Sequence, residues 1–515
     1  MTARCSGRPS MLERYVKKIL ASRVYDVAIE SPLHEARGLS KTLGNRVFLK
    51  REDLQPVFSF KLRGAYNKMV QLTDDERARG VIAASAGNHA QGVALAANRL
   101  GMRAHIVMGR NTPDIKVSAV RDLGGRVILH GDNFDEARDH ANALMEKHGY
   151  VFVHPFDDPD VIAGQGTIGM EILNQHGAAL HAIFVPVGGG GLISGIGAYV
   201  KYLRPNVKII GVEAEGSACM AAALAAKRRV TLPMETLDLF ADGTSVAQVG
   251  KETFAIAREC VDQVIVVSVD EICAAIKDIF NDTRSIAEPS GALAVAGMKK
   301  YVADTRVTGE DMVAIDSGAN VNFDRLRHIS ERTEVGEKRE VILGVTMPEK
   351  PGAFRTFCKT LGNRSVTEFN YRYADPAQAR VYVGVQIVPN GDRSELIESL
   401  RGAGYPVEDM TDNEIAKLHV RHMVGGRVSG GKPEILYRFE FPERPGALLK
   451  FLLELGEQWN ITMFHYRNHG AAWGRVLIGF EADARSRRTL GRFLDRIGYR
   501  YSEETDNSAY QMFLR

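Results

Sequence analysis

The residue with the clearest capacity for chemistry is Lys61, which lies in the stretch Gln55–Gly64 beside Phe58 and Phe60. Two phenyl rings would shield the amine from water, and desolvation favours the neutral, nucleophilic form of a lysine. An amine of this kind suits a Schiff base with an aldehyde. By itself, the stretch is more typical of a lysine that lies along an apolar surface at the start of a helix. Other parts of the chain must decide whether Lys61 is a Schiff-base amine or a surface lysine of this kind.

A second candidate is the glycine run Gly188–Gly191, which separates an apolar strand from a helix. Without Cβ atoms in the way, successive backbone N–H groups can converge on an anion, and the helix N-terminus adds partial positive charge. The nucleotide P-loop signature, GxxxxGK followed by Ser or Thr, is absent, and a formal GxGxxG match lacks its acidic ribose partner. The sequence predicts a phosphate cradle formed by Gly188, Gly189, Gly190, Gly191 and Leu192.

Two polar stretches also follow predicted strands. Ser85–Gly92 offers hydroxyl and amide groups beside the free N–H groups of a helix start, which suits a carboxylate or a phenolic oxygen. An ordinary helix cap is an equal alternative for this stretch. Ser317 comes after the last predicted strand, where ligands bind in open α/β sheets, although alone it would be a turn serine.

These stretches lie where predicted strands and helices alternate, from about residue 27 to about residue 330. Several of the strands are almost entirely apolar, as in a parallel sheet that helices cover on both faces. The predicted strands are residues 80–85, 104–108, 126–130, 182–187, 208–212, 263–267 and 312–315. The sequence therefore predicts an α/β catalytic domain, either undivided or as two fused halves.

After about residue 340 the chain repeats itself. Pro348–Phe354 recurs as Pro442–Leu448 after 94 residues, and Phe369–Arg372 recurs as Phe464–Arg467 after 95 residues. Each copy predicts the order strand, Pro-Gly turn, helix, strand, strand, helix, strand, which is the ferredoxin-like α+β plan. Two glycine pairs between the copies predict a flexible connection.

The composition excludes several classes of protein. A length of 515 residues, with 45% hydrophobic and 25% charged residues, predicts a soluble protein of about two to four domains. A net charge of +3 with interspersed signs gives no basis for binding nucleic acid or an anionic membrane. With no signal-type segment at the start and no run approaching about 18 apolar residues, we expect a cytoplasmic location. Five cysteines without a CxxC pair argue against disulfides and zinc.

An amine, a phosphate cradle, polar groups and a hydroxyl together are what pyridoxal 5′-phosphate needs. The motifs resemble those of the tryptophan-synthase-β-like, or fold type II, pyridoxal phosphate enzymes, and they are Ser59–Gly64, Ser85–Gly92, Gly188–Leu192 and Ser317–Asn320. More narrowly, the whole chain resembles the biosynthetic threonine ammonia-lyases (threonine deaminases), whose long form carries a duplicated ACT-like regulatory region at its C-terminus.

The resemblance implies a role for each motif. Lys61 would bind the cofactor and then take the Cα proton of the substrate, while the amides of Gly188–Leu192 would hold the cofactor phosphate. Asn88 would bond the ring 3-oxygen, and Ser317 would face the pyridine nitrogen. The substrate carboxylate would be bound by Ser85, Gly87 and Asn88.

The resemblance also implies an activity and its control. L-Threonine would become 2-oxobutanoate and ammonia in the first committed step of isoleucine biosynthesis, inhibited by isoleucine and opposed by valine, in a homotetramer. Tyr371 and Tyr466 are equivalent across the repeat and are our candidates for effector binding, although both equally fit aromatic packing on a sheet. Relatives can hold a cation near Glu213 and Glu215, but here we predict no metal.

The predicted domains are a catalytic domain (residues 1–335), a first ACT-like repeat (336–412), a linker (413–433) and a second repeat (434–515). Two alternatives stay open. A serine dehydratase or serine racemase of the same fold shares much of the cofactor machinery and would act on L-serine. An amino-acid sensor with a silent N-terminal domain would keep the repeats but has no need of Lys61, the phosphate cradle and Ser317.

Overall fold

The computed structural model divides the chain into two compact units, Met1–Thr333 and Glu334–Arg515. Each unit has a hydrophobic core of its own. The structure describes residues 10–110, 112, 114–131, 134–233, 237, 240–323, 325–336, 340–372, 375–387, 392–413, 433–442, 447–455, 459–467, 473–482, 484–497 and 499–507.

The first unit contains two sheets. Its strands are β1 (Leu33–Glu35), β2 (Arg46–Arg51), β3 (Val81–Ala84), β4 (Ala104–Met108), β5 (Arg126–Leu129), β6 (Val151–Phe152), β7 (Ala182–Pro186), β8 (Lys208–Ala214), β9 (Gln263–Val267) and β10 (Asp311–Asp316). The larger sheet has the order β1-β2-β10-β7-β8-β9, and the smaller has the order β5-β4-β3-β6. Strand β1 is antiparallel to β2, while the other paired strands are parallel.

Helices cover both faces of these sheets. They are α1 (Met11–Leu20), α2 (Arg37–Leu43), α3 (Lys61–Met69), α4 (Asp74–Arg79), α5 (Asn88–Arg99), α6 (Asp114–Asp122), α7 (Phe134–His148), α8 (Pro159–Gln175), α9 (Gly191–Leu203), α10 (Cys219–Ala226), α11 (Lys251–Cys260), α12 (Val269–Thr283), α13 (Pro289–Thr305) and α14 (Arg325–Gly336). Successive strand residues enter different apolar clusters, with Val47 and Leu49 in one and Phe48 in another. No helix in the described ranges is long and apolar enough to cross a membrane.

The second unit is a duplication. Its elements are β11 (Glu340–Pro348), α15 (Ala353–Leu361), β12 (Val366–Arg372), β13 (Gln378–Gln386), α16 (Asp392–Gly402), β14 (Val407–Asp409), β15 (Glu434–Pro442), α17 (Ala447–Leu455), β16 (Ile461–Arg467), β17 (Trp473–Glu481), α18 (Ala484–Ile497) and β18 (Arg500–Glu503). The two copies join through antiparallel pairing of β12 with β16, in which Phe369 lies opposite Tyr466 and Tyr371 opposite Phe464. The result is one eight-stranded sheet of order β14-β11-β13-β12-β16-β17-β15-β18.

The predicted fold class is confirmed in both parts, since the first unit is α/β and the second repeats the ferredoxin-like order. Two of the predicted strands, 104–108 and 263–267, have the same bounds as β4 and β9. The predicted turn of the first repeat is present, and Gly352 adopts a left-handed backbone (φ 82°) immediately before α15. Residues 414–432, which include the glycine pairs of the predicted linker, lie outside the described residues, as do residues 443–446 of the second Pro-Gly motif.

Candidate active site

Lys61 is the first residue of α3, and its amine is partly buried in the first unit. The Nζ atom donates a hydrogen bond to the carbonyl of Pro155 at 3.1 Å and lies 5.2 Å from the centre of the Phe60 ring. Burial lowers the pKa of Lys61 to about 8, although the negative charge of Glu288 opposes this shift. A substantial fraction of the amine is therefore neutral near physiological pH, as a nucleophile requires.

The two aromatic neighbours of Lys61 differ in position. Phe60 is buried against the amine, which agrees with the predicted shielding. The prediction is wrong for Phe58, whose side chain is 57% exposed. Its backbone has a left-handed conformation (φ 53°), which turns the chain at this residue. The Phe58 carbonyl accepts a hydrogen bond from the amide of Ala319, so its backbone rather than its ring supports the site.

A buried ion network holds the helix that begins at Lys61. Arg63 has no exposed surface and forms ion pairs with Glu52 at 2.8 Å and with Glu171 at 2.5 Å. Glu171 also pairs with the fully buried Lys50 at 2.6 Å. The two cations and two anions balance in charge, which removes the cost of an unpaired buried charge. The network ties α3 to α8 and to the end of β2, so it fixes the direction in which Lys61 leaves the helix.

The predicted phosphate cradle leads directly into α9. Gly190 has a φ of 95°, which favours glycine, and it caps the helix without a side chain. Within the described residues, the amides of Gly188–Leu192 donate to no other backbone carbonyl. A Cβ atom on Gly189 would lie 2.3 Å from the ring of Phe156. The loop therefore needs glycine for packing, and its free amides and helix N-terminus can bind an anion.

Asn88 opens α5, and its amide is held at both ends. Its Nδ2 donates to Glu288 Oε1 at 2.6 Å, and its Oδ1 accepts from Asn320 Nδ2 at 2.7 Å. The Ser85 hydroxyl accepts a hydrogen bond from the amide of Gly87 at 3.2 Å, and Gly87 rather than Ser85 or Asn88 is the residue that precedes the helix. The first-turn amides of α5 thus lack a side-chain cap and are available to a carboxylate.

Ser317 follows β10 and is 3% exposed. Its hydroxyl donates to the carbonyl of Ser290 at 3.4 Å, and its carbonyl accepts from the amide of Phe60 at 3.3 Å. The adjacent pair Ser59 and Gly318 forms an isolated β-bridge. These contacts join the Lys61 segment directly to the Ser317 segment.

The four predicted motifs meet at one place in the first unit. Phe156 follows the carbonyl that accepts from Lys61, and it also packs against Gly189 and Gly191. On the other side, a Cβ on Gly92 would lie 3.1 Å from the carbonyl carbon of Lys61, so α5 packs on the start of α3. The structure thus brings together Lys61, Ser85, Gly87, Asn88, Gly188, Gly189, Gly190, Gly191, Leu192 and Ser317.

Tyr371 and Tyr466, the candidate effector residues, belong to the second unit and are buried in its core. The Tyr371 hydroxyl donates to the carboxylate of Glu349, in the turn that follows β11. Burial raises the pKa of Glu349, and the Tyr371 hydrogen bond opposes that shift. Tyr371 is therefore both a packing residue and a polar contact to the Pro-Gly turn.

Two histidines beside the amine are held neutral. Burial, followed by the positive charge of Lys61, lowers the pKa of His89 to about 3, and its Nε2 lies 2.8 Å from the carbonyl of Val153. Burial also lowers the pKa of His154, whose Nδ1 accepts hydrogen bonds from the amides of Phe156 and Asp157. Neither imidazole competes with Lys61 for a proton near neutral pH.

The described residues contain no group of three or more histidine, cysteine or acidic side chains that could hold a metal ion. Glu213 accepts hydrogen bonds from the amides of Met220 and Ala221 at the start of α10. Burial raises the pKa of Glu213 to about 7. The carboxylate thus serves as a helix cap in this structure.

Sequence reasoning missed residues that contact the candidate site but are distant from it in sequence. Glu288 and Asn320 both contact Asn88, and Thr244 packs against Gly188. Asn320 lies in the Ser317–Asn320 motif, but the sequence alone assigns it no role. Glu288 directly precedes Pro289 at the start of α13, and an acidic residue there would normally be taken for a helix cap. Its actual partner is 200 residues away in sequence, which no local pattern reveals.

These residues fit pyridoxal 5′-phosphate, the cofactor that the resemblance implies. The amine of low pKa suits the aldehyde, and the free amides before α9 suit the phosphate. The buried hydroxyl of Ser59 has no hydrogen-bond partner among the described residues, so the site retains a polar atom for a ligand. The donor set thus matches an aldehyde, an anion and a polar ring.

Two family models match the chain. The family described as pyridoxal-phosphate dependent enzyme matches residues 24–318. The family described as the C-terminal regulatory domain of threonine dehydratase matches twice, over residues 331–420 and 425–514. These two matches fall on the two copies of the internal repeat.

Curated relatives match nearly the full length. The chain is 54% identical to the biosynthetic L-threonine dehydratase IlvA of Burkholderia multivorans, over 97% of this chain and 99% of the relative. It is 53% identical to the protein of the same name from Escherichia coli, over 99% and 98%. Among solved structures, the processed form of threonine deaminase isoform 2 from Solanum lycopersicum is 53% identical, with a TM-score of 0.62, over 63% of this chain and 94% of that one.

Proposed function

Because the chain belongs to the biosynthetic threonine dehydratase family of pyridoxal-phosphate-dependent enzymes, we propose that it converts L-threonine to 2-oxobutanoate and ammonia. The predicted family and cofactor are confirmed by the two family models and the curated relatives. The observation that carries the proposal is the convergence of the Lys61 amine, the phosphate cradle and the Ser85–Asn88 loop at one place.

Pyridoxal phosphate, when bound, supplies an electron-withdrawing ring that makes the Cα proton of an amino acid removable. Lys61 would hold the cofactor and would serve as the base for that proton, because its pKa of about 8 leaves part of the amine neutral. The amides of Gly188–Leu192 would bind the phosphate. The second N–H of the Asn88 amide would donate to the ring 3-oxygen.

Ser317 gives the site its preference for elimination. A neutral hydroxyl facing the pyridine nitrogen does not hold that nitrogen protonated, as a carboxylate would. Electron withdrawal at Cα would therefore be moderate, which would favour loss of the Cα proton and the β-hydroxyl of threonine as water over other outcomes. The amides at the start of α5, with Ser85 and Gly87, bind the substrate carboxylate and hold the Cα–H bond towards Lys61.

We further propose that the second unit binds isoleucine as an inhibitor and valine as its antagonist, which places the reaction at the entry to isoleucine biosynthesis. A cleft in this unit lies between the turn Lys350–Gly352 of the first repeat and Trp459–Ile461 of the second. Leu452 and Leu455 give it an apolar wall that suits an aliphatic side chain. The buried Trp459 indole N–H has no partner within the described residues and can donate to a ligand. Feedback requires that isoleucine bind two global states differently.

The proposal extends to the remaining predictions from the sequence. We propose the domain bounds 1–335, 336–412, 413–433 and 434–515, a cytoplasmic enzyme, and a homotetramer as its assembly. Size-exclusion chromatography with light scattering measures the last of these. L-Serine, which lacks only the methyl group of threonine, is proposed as a further substrate of the same site.

The test is a turnover assay on the purified protein. Incubation with L-threonine should yield 2-oxobutanoate and ammonia in equal amounts, and isoleucine should reduce the rate. Lys61→Ala is the matched control and should lose both the visible cofactor absorbance and the turnover. A Lys61→Ala protein that keeps either property would contradict the assignment, and a wild-type protein that racemises serine faster than it consumes threonine would favour the racemase alternative.

A further inference from the structure

Glu288 is a buried carboxylate that the proposed reaction leaves without a role. It lies directly before α13 and is 5% exposed, yet its side chain makes no capping bond to that helix. Its Oε1 instead accepts a hydrogen bond from Asn88 Nδ2 at 2.6 Å. A carboxylate at a helix start is thus directed away from its own helix and towards the amide of the active site.

The contacts of Asn88 leave it one free group. Its oxygen accepts from Asn320, which also donates to the carbonyl of Val57 at 2.8 Å, and one of its two N–H groups donates to Glu288. An ionised carboxylate can only accept, so Glu288 forces the nitrogen of the Asn88 amide to face it. The second N–H of Asn88 is what remains for a ligand. In this arrangement Asn88 presents a donor.

Protonation of Glu288 would remove that constraint, because a carboxylic acid can also donate. Burial, followed by the negative charge of Asp242, raises the pKa of Glu288 to about 7, while the Asn88 hydrogen bond, the positive charge of Lys116 and the backbone N–H of Asn320 act in the opposite direction. Among the described residues, Lys61 and Asp316 also interact electrostatically with Glu288. Glu288 therefore gains or loses its proton close to neutral pH.

We propose that Glu288 is a positioning residue which, in its ionised form, holds Asn88 as a hydrogen-bond donor to the ring 3-oxygen of pyridoxal phosphate. The proposal rests on the proposed placement of Asn88 beside that oxygen. A donor at this position stabilises the anionic form of the oxygen, and this form affects both the affinity for the cofactor and its visible absorbance. Loss of the Glu288 charge weakens the hold on the Asn88 amide, which Asn320 then orients alone.

Three variants test the proposal through the cofactor alone. Glu288→Gln keeps an acceptor of the same size but cannot take up a proton. Glu288→Ala removes the acceptor. Asp242→Asn leaves the Asn88 contact intact and removes the neighbouring charge that raises the pKa of Glu288. The two readouts are the dissociation constant of pyridoxal phosphate and the absorbance spectrum of the holoenzyme from about pH 6 to about pH 8.

The wild-type spectrum should change with a midpoint near the pKa of Glu288. Glu288→Gln, which is uncharged and can donate as well as accept, should bind the cofactor as wild type does below its midpoint and should lose that transition, and Glu288→Ala should bind about tenfold more weakly than ionised wild type. Asp242→Asn should move the midpoint to lower pH. An unchanged transition in Glu288→Gln, or a midpoint that stays in place in Asp242→Asn, would overturn the proposal. Both readouts test the role of Glu288 whether or not the chain consumes threonine.

Discussion

At the scale of single residues, the proposed chemistry depends on how the protein sets the proton affinity of Lys61. Burial lowers the pKa of Lys61 to about 8, so at pH 7.5 roughly a quarter of the amine is neutral, against about 0.1% for an ordinary lysine. We expect the rate at which cofactor-free protein captures pyridoxal phosphate to rise with pH and to level off above about pH 8. Stopped-flow absorbance measures this rate, and a profile still rising at about pH 10 would show that the lysine is not desolvated.

The substitution Ser317→Asp tests the role of the hydroxyl. An aspartate facing the pyridine nitrogen would keep it protonated and strengthen electron withdrawal. We expect less 2-oxobutanoate per turnover and more conversion of the cofactor to its aminated form, which its spectrum reports. Ser317→Ala, which adds no charge, is the control and should not increase transamination. More elimination together with less transamination in Ser317→Asp would show that the argument from the hydroxyl is wrong.

The candidate site residues that the sequence itself indicates are those with local signatures. Lys61, Ser317 and the glycines of the phosphate cradle each lie in a short motif at the end of a strand or the start of a helix. Glu288 and Arg63 carry no such signature, because their partners are distant in sequence: Asn88 is 200 residues from Glu288, and Glu171 is 108 residues from Arg63. Only the packed structure shows which buried charges face each other.

At the scale of elements, the loop before α9 shows that glycine is required at some positions and not at others. A Cβ on Gly189 would lie 2.3 Å from the Phe156 ring, whereas a Cβ on Gly87 meets no atom of the described residues within 4 Å. We expect Gly189→Ala to displace the loop and weaken pyridoxal phosphate binding about tenfold or more. Gly87→Ala should leave that binding within about twofold and raise the KM for threonine, because its methyl group would enter open space in the loop proposed to bind the substrate carboxylate.

Fluorescence titration with the cofactor, together with steady-state kinetics, separates the two glycine variants. Equal loss of cofactor affinity in both would show that the loop before α5 also contributes to the phosphate site. Retained affinity in Gly189→Ala would show that Phe156 moves aside and that the phosphate cradle tolerates a side chain.

The helix that carries Lys61 is held by the buried network of Arg63, Glu52 and Glu171. Arg63→Met would leave two carboxylates without their main partner, and breaking a buried pair in this way typically costs about 3–5 kcal/mol of unfolding free energy. Arg14, which is 56% exposed at its side chain and pairs with Glu252, is the control, because an exposed pair is worth about 1 kcal/mol or less. Urea unfolding of Arg63→Met and Arg14→Ala measures both, and equal small losses would show that the buried network adds no stability.

At the scale of the whole molecule, the repeat could be predicted from the sequence, but the way in which its two copies pair could not. Matching motifs 94 and 95 residues apart predict two copies of one plan. They do not predict that β12 and β16 pair to form a single eight-stranded sheet, because strand edges carry no mark of their partner. The pairing places Tyr371 and Tyr466 on adjacent strands, in one continuous core.

That shared core determines how the candidate effector residues should be tested. Replacing Tyr371 or Tyr466 by alanine would open a cavity that costs about 3–5 kcal/mol of unfolding free energy. A change in isoleucine inhibition could then reflect lost stability and not lost effector binding. Phenylalanine keeps the ring and removes only the hydroxyl, which in Tyr371 bonds Glu349 beside the turn that lines the cleft. We expect the Tyr371→Phe/Tyr466→Phe double variant to need about tenfold more isoleucine for half-inhibition, a change of about 1.4 kcal/mol in its binding, with unchanged turnover in the absence of isoleucine. Inhibition curves measured over a range of isoleucine concentrations test this, and a curve identical to that of wild type would mean that the two tyrosines only pack.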